Sequence, residues 1–485
     1  MSLGSNTAAS NVFIDLATFS ELEGFLYGGP NAVTLFVSSV QKCNWFSYIP
    51  ISLRHVSGCP DFGQKHIAAS VNRSGDYVMG IWFNVQIPQI ALIGTPTMFL
   101  DATVRWTRYL MHNLFEKVSI TFNELEVEVF DNFYLDFYYQ FRTRGSKRIG
   151  YRQIVGDIAS MTTPVGVGIP LGTGTYFSCP FPFWFTEDSG IALPAAALPF
   201  NDIKVNYIFR RFEDLIVVSP GVISPPQVVG TPATVNNVKI FGQPTQQPKF
   251  LNPNTYAHYA VVHNDERVKM GDAPRDILIS QVQTAPYAPF KDLSSPSCFD
   301  LRFSHAVVSM FFAAQNYSIA AFGNGVYGAE WSNYTTEPNY TGLDPLDYSQ
   351  LVYENTTRLA MHSDYYSLIQ PWYTSKAIPV ENGYHMWSYS LHPWWATSPA
   401  GSTNYSKLSN VSIVHNPSPA AQAAAGINTP GNIPLDKNGQ PITFPLNTPI
   451  ESGSQYLPLK LRHILTVRNH NIVRIANGSL GQPTL

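Results

Sequence analysis

Three glycines of the sequence have the spacing of a dinucleotide-binding motif. Gly323, Gly325 and Gly328 form the pattern G-x-G-x-x-G. This pattern binds a pyrophosphate only where it joins a strand directly to the first turn of a helix. Here it leads into residues 329–334 (AEWSNY), which do not begin a helix. We therefore interpret it as a glycine-rich loop, and the chain has no G-x-x-x-x-G-K-[ST] phosphate-binding loop.

Two adjacent carboxylates follow an aromatic run and could suggest a glycosidase cleft. Glu187 and Asp188 come just after residues 181–185 (FPFWF). A glycosidase needs two carboxylates on either side of one glycosidic bond. Neighbouring residues of an extended strand point to opposite faces, so these two would not flank one sugar. We expect them to form a turn or a cap, and the chain has no G-x-S-x-G nucleophile motif.

Histidine and cysteine are the residue types that bind metals or do redox chemistry. The 12 histidines are scattered and form no H-x-H or H-E-x-x-H pair. We therefore expect packed or hydrogen-bonded histidines, no metal site and no cofactor. The four cysteines, Cys43, Cys59, Cys179 and Cys298, form no C-x-x-C pair. We expect them to be free and partly buried thiols.

Several asparagines lie in N-x-[ST] sequons and are candidate glycosylation sites, although an Asn- and Thr-rich chain also produces such sequons by chance. The acceptors would be Asn72, Asn316, Asn333, Asn339, Asn355, Asn404, Asn410 and Asn477. Four of them lie between residues 316 and 357. This clustering predicts that the loop faces the solvent.

The composition of the 485-residue chain limits its class. Charged residues are only 13%, aromatic residues are also 13%, and the net charge is -3. Disordered chains carry high net charge and few aromatics, so this class is excluded. Proteins that coat DNA or RNA are basic, and we expect no direct contact with nucleic acid. The composition indicates a mostly β protein, much of whose surface is covered by a partner.

The N-terminal segment, residues 1–30, is predicted to be an arm. It has neither the basic start of a secretory signal nor a long apolar core, and no stretch of the chain is long enough for a transmembrane helix. We therefore expect a chain that is made and kept in the cytosol. Its apolar residues fit one face of a short helix or irregular arm and are Ile14, Leu16, Phe19, Leu22, Phe25 and Leu26. Thr18 and Glu21 have capping-box spacing, and Gly28-Gly29-Pro30 ends the segment.

Two strand-rich domains are predicted after the arm. Residues 31–218 contain short apolar or alternating runs, including residues 33–40, 118–122 and 203–209. Residues 219–248 carry six prolines and are predicted to be a linker, because proline cannot join a central ladder. Strand patterns resume over 249–485. No long amphipathic helix separates the strands, which favours antiparallel sheets.

Long motifs spread over nearly the whole chain carry a resemblance to a known family. They are residues 13–29 (FIDLATFSELEGFLYGG), 62–64 (FGQ), 73–77 (RSGDY), 104–124 (VRWTRYLMHNLFEKVSITFNE), 147–151 (KRIGY), 180–203 (PFPFWFTEDSGIALPAAALPFNDI), 264–286 (NDERVKMGDAPRDILISQVQTAP), 300–306 (DLRFSHA), 353–359 (YENTTRL), 363–368 (SDYYSL), 401–413 (GSTNYSKLSNVSI) and 471–481 (NIVRIANGSLG). Together they resemble the major capsid proteins of large icosahedral double-stranded DNA viruses of the iridovirus and marseillevirus type.

This resemblance implies an all-β fold and a structural function. The fold would be two consecutive eight-stranded antiparallel jelly-roll sandwiches, over 31–218 and 249–485, with a short N-terminal arm and long surface loops. Three chains would form a homotrimer, a pseudo-hexagonal capsomer that packs beside neighbouring capsomers in an icosahedral shell. The arm would lie near minor capsid proteins and the inner viral membrane. The protein would be a component of the virion, assembled in the host cytoplasm, and not an enzyme.

Two alternatives stay open at the level of sequence. The first is a minor vertex or spike capsid protein of the same fold, which copy number in the virion would distinguish. The second is a carbohydrate-binding jelly-roll protein. It would require a cleft with convergent carboxylates and aromatic residues, and it would bind glycans as a free protein.

Overall fold

The computed structural model describes residues 12–38, 40, 42–94, 102–219, 233–271, 274–318, 330–337, 340, 342–425 and 459–481. The chain divides into two compact units, Met1–Trp45 and Phe46–Leu485. In the described part of the first unit, residues 12–17 and Glu21–Leu26 are helical. The apolar run at 33–40, which the sequence predicts to be a strand, has no strand among its described residues.

The first half of the second unit folds as one jelly-roll sandwich. Its strands are β1 (Phe46–His55), β2 (Ile67–Ser70), β3 (Tyr77–Gln86), β4 (Ile90–Leu92), β5 (Thr103–Trp106), β6 (Phe115–Phe122), β7 (Leu125–Phe130), β8 (Tyr176–Phe181), β9 (Ile203–Phe209), β10 (Ile216–Ser219), β11 (Val238–Ile240) and β12 (Leu251–Val262). One sheet has the order β1-β12-β3-β8 and the other β2-β9-β6-β7. The pairs β4–β11 and β5–β10 form two small additional sheets.

Strand β1 takes part in both sheets of this sandwich. Residues 46–53 pair antiparallel with β12, and Arg54 and His55 pair with β2. The strand therefore turns the corner between the two layers. Strand β9 illustrates how the two sheets pack face to face. Its residues Ile203, Val205 and Tyr207 point into the core between the sheets and alternate with half-buried residues, as the period of two predicts.

The second half of the unit repeats this architecture. Its strands are β13 (Arg275–Thr284), β14 (Ala288–Pro289), β15 (Ser297–Asp300), β16 (Ala306–Asn316), β17 (Leu346–Tyr353), β18 (Thr356–His362), β19 (His385–Ser388), β20 (Thr403–Asn404), β21 (Val411–Pro417), β22 (Leu461–Ala476) and β23 (Ser479–Gly481). One sheet has the order β13-β22-β16-β19 and the other β15-β21-β17-β18. Short strands β14 and β23 pair with β22, and β20 pairs with β16.

The two sandwiches have the same internal strand order. If the eight main strands of each are numbered along the chain, both have sheets of order 1-8-3-6 and 2-7-4-5. In each, the last strand lies between the first and the third, which is the jelly-roll arrangement. The prediction of an all-β fold with two consecutive jelly rolls is therefore confirmed.

The pairing of β12 places the boundary between the two sandwiches after residue 262, later than the predicted limit of 248. Residues 249–262 are predicted to begin the second domain, but β12 lies in the first sandwich, between β1 and β3. The described residues 233–248 of the Pro-rich stretch include β11, which pairs with β4 of the first sandwich. We propose limits of Phe46–Val262 and Arg275–Gly481 for the two sandwiches, with the arm extending to Trp45.

The strands are joined by helices that the sequence does not predict. In the part of the second unit that the structure describes, the α-helices are Leu110–Asn113, Asn132–Arg142, Gly145–Val155, Ala159–Thr162, Asn264–Gly271, Gln370–Thr374 and Pro419–Ala424. The 3₁₀-helices are Trp184–Thr186, Ser189–Ile191, Ala195–Ala197, Phe212–Asp214, Val235–Asn237 and Tyr405–Lys407, and Tyr365–Ile369 is a π-helix. Among the described residues, no helix is both long and apolar enough to cross a membrane.

Candidate assembly surfaces and the contact between the sandwiches

The arm presents its apolar side chains to the outside. Ile14, Leu16, Phe19, Leu22, Phe25 and Leu26 are each at least 60% exposed. Six large apolar side chains in so short a segment are an unfavourable surface in water unless another surface covers them. The predicted arm residues therefore have the exposure that docking to a partner requires.

The cap of the second arm helix lies two residues beyond the predicted one. Ser20, not Thr18, precedes helix Glu21–Leu26, and its N–H donates to Glu23 Oε2 over 3.2 Å. The Ser20 hydroxyl donates to the same carboxylate, and this bond lowers the pKa of Glu23. Thr18 instead donates to the Asp15 carbonyl oxygen over 2.7 Å. The prediction of a Thr18–Glu21 capping box is therefore wrong, because Thr18 lies between the two arm helices and the second helix begins only at Glu21.

A second exposed apolar surface lies on the segment that follows β18. Leu368, Ile369, Trp372 and Tyr373 are spaced at i, i+1, i+4 and i+5 along the π-helix and the α-helix that follows it, and all four are exposed. This spacing places them on one side of a helical turn. Two aromatic rings on an exposed turn are typical of surfaces that contact other proteins.

Helix Asn132–Arg142 joins the two sandwiches through aromatic packing. Its side chains Phe133, Phe137 and Phe141 recur every four residues and so lie on one face. They form one buried cluster with Phe311 of β16 and Ile464 of β22. The Asp131 side chain caps the helix by accepting a hydrogen bond from the Tyr134 N–H over 2.9 Å. Sequence reasoning missed this helix, although its N-cap and four-residue spacing are the signals that could have identified it.

The predicted carboxylate pair divides between two roles. The Glu187 side chain is buried and accepts two hydrogen bonds from Arg468 Nη2 of β22, over 2.7 and 2.9 Å. The Arg468 side chain also donates to the Pro393 carbonyl oxygen over 3.0 Å and lies 4.8 Å from the Trp394 ring centre. The backbone of Glu187 has the predicted cap position, because it follows the 3₁₀-helix Trp184–Thr186 and its N–H donates to the Trp184 carbonyl oxygen. Its side chain has a role that was not predicted, which is to link the first sandwich to the second. Asp188 is exposed and precedes a 3₁₀-helix without capping it by its side chain.

A buried carboxylate on helix Asn132–Arg142, that of Asp136, makes a second polar link between the two sandwiches. Asp136 accepts from the Tyr334 hydroxyl over 2.9 Å and lies 2.7 Å from His112 Nδ1. The other ring nitrogen of His112 lies 2.8 Å from the Tyr151 hydroxyl. Burial, and the charge of Asp136, raise the pKa of Tyr334 well above its usual value. The tyrosine therefore stays a neutral donor.

Arg210 is a buried cation that lines a cavity together with Asp131 and Trp331. Arg210 donates to the Asn113 carbonyl oxygen and to Asn132 Oδ1, both over 2.9 Å. Its guanidinium carbon lies 3.8 Å from the Trp331 ring centre. Burial lowers the pKa of Arg210 to about 10. Carbonyl oxygens and an aromatic face thus hold this cation, which makes it a structural tie between elements.

The predicted sequons occupy very different surroundings. Asn316 and Asn333 are buried, and their amide nitrogens donate to the carbonyl oxygens of Thr335 and Glu337. The expectation that the whole loop faces the solvent is therefore wrong, since residues 333–335 are buried. Asn339 lies outside the described residues. The remaining acceptors, Asn72, Asn355, Asn404, Asn410 and Asn477, are exposed.

The other predicted groups do not converge on one site. Residues 323–328, the glycine motif, lie outside the described residues. The four cysteines are free thiols, of which only Cys179 is buried. Among the described residues, no group of three or more histidine, cysteine, aspartate or glutamate side chains is placed to hold a metal ion.

Comparison with known proteins identifies relatives over the whole chain. Residues 34–245 match the family model described as major capsid protein N-terminus, and residues 266–440 match the model described as large eukaryotic DNA virus major capsid protein. The chain is 41% identical over 497 residues to the major capsid protein of Tipula iridescent virus, covering 99% of each chain. It is 38% identical over 485 residues to that of Lymphocystis disease virus 1 (isolate Darai), again covering 99% of each.

Solved structures show the same fold at much lower identity. A quasi-atomic model of the PBCV-1 virus capsid is similar with a TM-score of 0.65 at 18% identity, over 93% of this chain and all of that one. The Faustovirus major capsid protein is similar with a TM-score of 0.64 at 14% identity, over 92% and 93% of the two chains. With two sandwiches of matching strand order and full-length viral relatives, the chain belongs to the family of major capsid proteins of large eukaryotic DNA viruses.

Proposed function

We propose that three copies of this chain associate into a pseudo-hexagonal tile. The observation that carries this proposal is the shared strand order of the two sandwiches. Three copies of a chain with two similar sandwiches present six similar units around one axis, and closed rotational symmetry is the usual solution for identical subunits. The tile then packs side by side with others into the icosahedral shell of a virion that assembles in the host cytoplasm.

The mass of the purified protein and the surface of purified particles test the tile. Light scattering after size exclusion is expected to give three times the chain mass of 53.9 kDa. Electron images of particles are expected to show a hexagonal surface lattice in which this chain is the most abundant protein. A stable monomer or dimer, or a surface without hexagonal order, would contradict the proposal. Low copy number in the particle would instead favour the vertex protein.

The arm is proposed to attach the tile to what lies beneath it. Leu16, Phe19 and Leu22 would bury their apolar side chains against minor capsid proteins or the inner viral membrane. Their exposure supports this role, since each side chain transferred from water contributes about 1.5–3 kcal/mol.

Deletion of residues 1–27 tests the arm separately from the tile. The truncated chain is expected to form soluble trimers and to fail in shell formation. A variant with Leu16, Phe19 and Leu22 changed to serine should behave in the same way. A control with Asp15 and Glu21 changed to alanine keeps the apolar side chains and should assemble. Intact particles from the truncated chain would refute this role.

We also propose that the protein works without catalysis, a cofactor or direct contact with nucleic acid. Its buried ionisable groups support this, because Glu187, Asp136 and Arg210 are all occupied by partners within the protein. The net charge of -3 favours contacts with proteins over DNA. Binding of the purified tile to double-stranded DNA at 0.15 M salt would contradict this part.

A further inference from the structure

A concave surface lies between the end of helix Asn132–Arg142 and the neighbouring helix Gly145–Val155. The cavity measures about 710 Å³. Its lining includes two aromatic residues, Tyr138 and Tyr151, and four basic residues. It adjoins the Asp136 link described above through Tyr151, whose hydroxyl meets His112, and it includes Lys147 and Tyr151 of the KRIGY motif.

Four cations converge on this cavity, and no carboxylate lies among its lining residues. The cations are Arg142, Arg144, Lys147 and Lys376. Within the described part of the chain, none of the four forms an ion pair, although the guanidinium carbon of Arg142 lies 5.7 Å from the Trp394 ring centre. Glu187 is the carboxylate that acts on Lys376 from outside the lining, but its oxygens are bound by Arg468.

The four positive charges affect one another. Partial burial, together with the charges of Arg142 and Arg144, lowers the pKa of Lys376. The Nε atom of Arg142 is buried and has no hydrogen-bond partner. Helix Gly145–Val155 begins in the cavity lining, and no side chain caps its first turn. Arg144, Lys147 and Lys376 are exposed and share one concave surface, so an anion bound among them would relieve the repulsion between their charges.

We propose that this cavity binds a group carrying several phosphate charges. Guanidinium groups match phosphate oxygens in a planar, two-bond geometry, and lysine adds a point charge. The rings of Tyr138 and Tyr151 form part of the wall, which suits a compact ligand with an organic body. Such phosphates could come from a soluble polyphosphate or from the headgroup of a phosphoinositide lipid.

Titration calorimetry with sodium tripolyphosphate tests the site on the purified full chain. The K147A/K376A variant is expected to weaken binding at least about tenfold for each lost charge-assisted contact. The K147R/K376R variant keeps both charges and is expected to retain binding. The matched control K291A/K407A removes two exposed lysines outside the cavity and should bind as the unchanged chain does.

Vesicles distinguish the two sources of phosphate. Phosphatidylcholine vesicles with and without 5% phosphatidylinositol 4,5-bisphosphate are added to the same four proteins and sedimented. Sedimentation that depends on Lys147 and Lys376 supports a lipid headgroup, and tripolyphosphate binding without sedimentation supports a soluble ligand. Absence of both, or equal weakening in K147A/K376A and K291A/K407A, would overturn the proposal. Circular dichroism of each variant checks that the fold is kept.

Discussion

Replacement of Arg468 by methionine tests whether the buried ion pair holds the two sandwiches together. The side chains of Arg468 and Glu187 are 2% and 3% exposed. Burial lowers the pKa of Arg468, but the Glu187 carboxylate outweighs this effect and keeps it above the usual value. The R468M variant leaves Glu187 charged and buried without its partner. We therefore expect it to lose about 3–5 kcal/mol of unfolding free energy.

The same strand supplies a matched control. Arg474 of β22 also makes two hydrogen bonds to one carboxylate, that of Asp276, both over 2.7 Å. That pair is exposed, with side chains at 56% and 49%. Water screens such a pair, so R474M should cost no more than about 1 kcal/mol. The two pairs lie on the same strand and each has two hydrogen bonds to one carboxylate, so the large difference between them is burial.

Urea unfolding followed by tryptophan fluorescence measures both variants at one protein concentration. A third variant, E187L/R468M, replaces the whole pair by apolar side chains of similar volume. It should be more stable than R468M alone by about 2 kcal/mol or more, because no charge is left buried without a partner. The reasoning fails if R468M costs no more than R474M. It also fails if the effects of E187L and R468M simply add.

Three further predictions follow from buried or crowded positions. Burial lowers the pKa of His463 to about 3, against about 6.5 in an unfolded chain, so stability should fall by about 1.4 kcal/mol per pH unit below pH 6.5. The H463F variant should lose this contribution to the pH dependence of the unfolding free energy. If the unfolding free energies of the variant and the unchanged chain changed equally between pH 5 and pH 7, this prediction would be wrong. A side chain at Gly383, where φ is +88°, would overlap a backbone carbonyl oxygen, so G383A should cost at least about 2 kcal/mol by urea unfolding. Gly145 has open space, so G145A should cost nothing measurable. Mass spectrometry of peptides from virions should find Asn316 and Asn333 unmodified, and a glycan on either would show that the loop opens.

Local patterns predict the strands better than the domains. The alternation at 203–209 predicts β9, and the alternation at 118–122 predicts the end of β6. The last strand of the first sandwich comes after the Pro-rich stretch, because a jelly roll places its eighth strand between the first and third. Composition cannot mark this boundary, since a linker and a long internal connection look alike. The family resemblance, which spans the chain, gives the architecture instead.

The contacts between the sandwiches depend on partners that are distant in the sequence. Glu187 and Arg468 are 281 residues apart, so no local pattern could reveal the pair. Strand β16 is different, because its nearly continuous apolar run is typical of a strand buried on both faces. One face, with Phe312, packs into the second core and the other, with Phe311, meets helix Asn132–Arg142. The helix itself was predictable from Asp131 and its phenylalanine spacing.

The position of β12 between β1 and β3 governs how the chain can fold during translation. The sheet formed by these strands stays open until the ribosome has released residue 262, so more than half of the polypeptide must emerge before the first sandwich can close. The second sandwich likewise cannot close until β22, which pairs with β13 and β16, has been synthesised near the end of the chain. Until then, unpaired strand edges are exposed and invite pairing with other nascent chains. A cell producing this protein in large amounts therefore places a heavy demand on its chaperones.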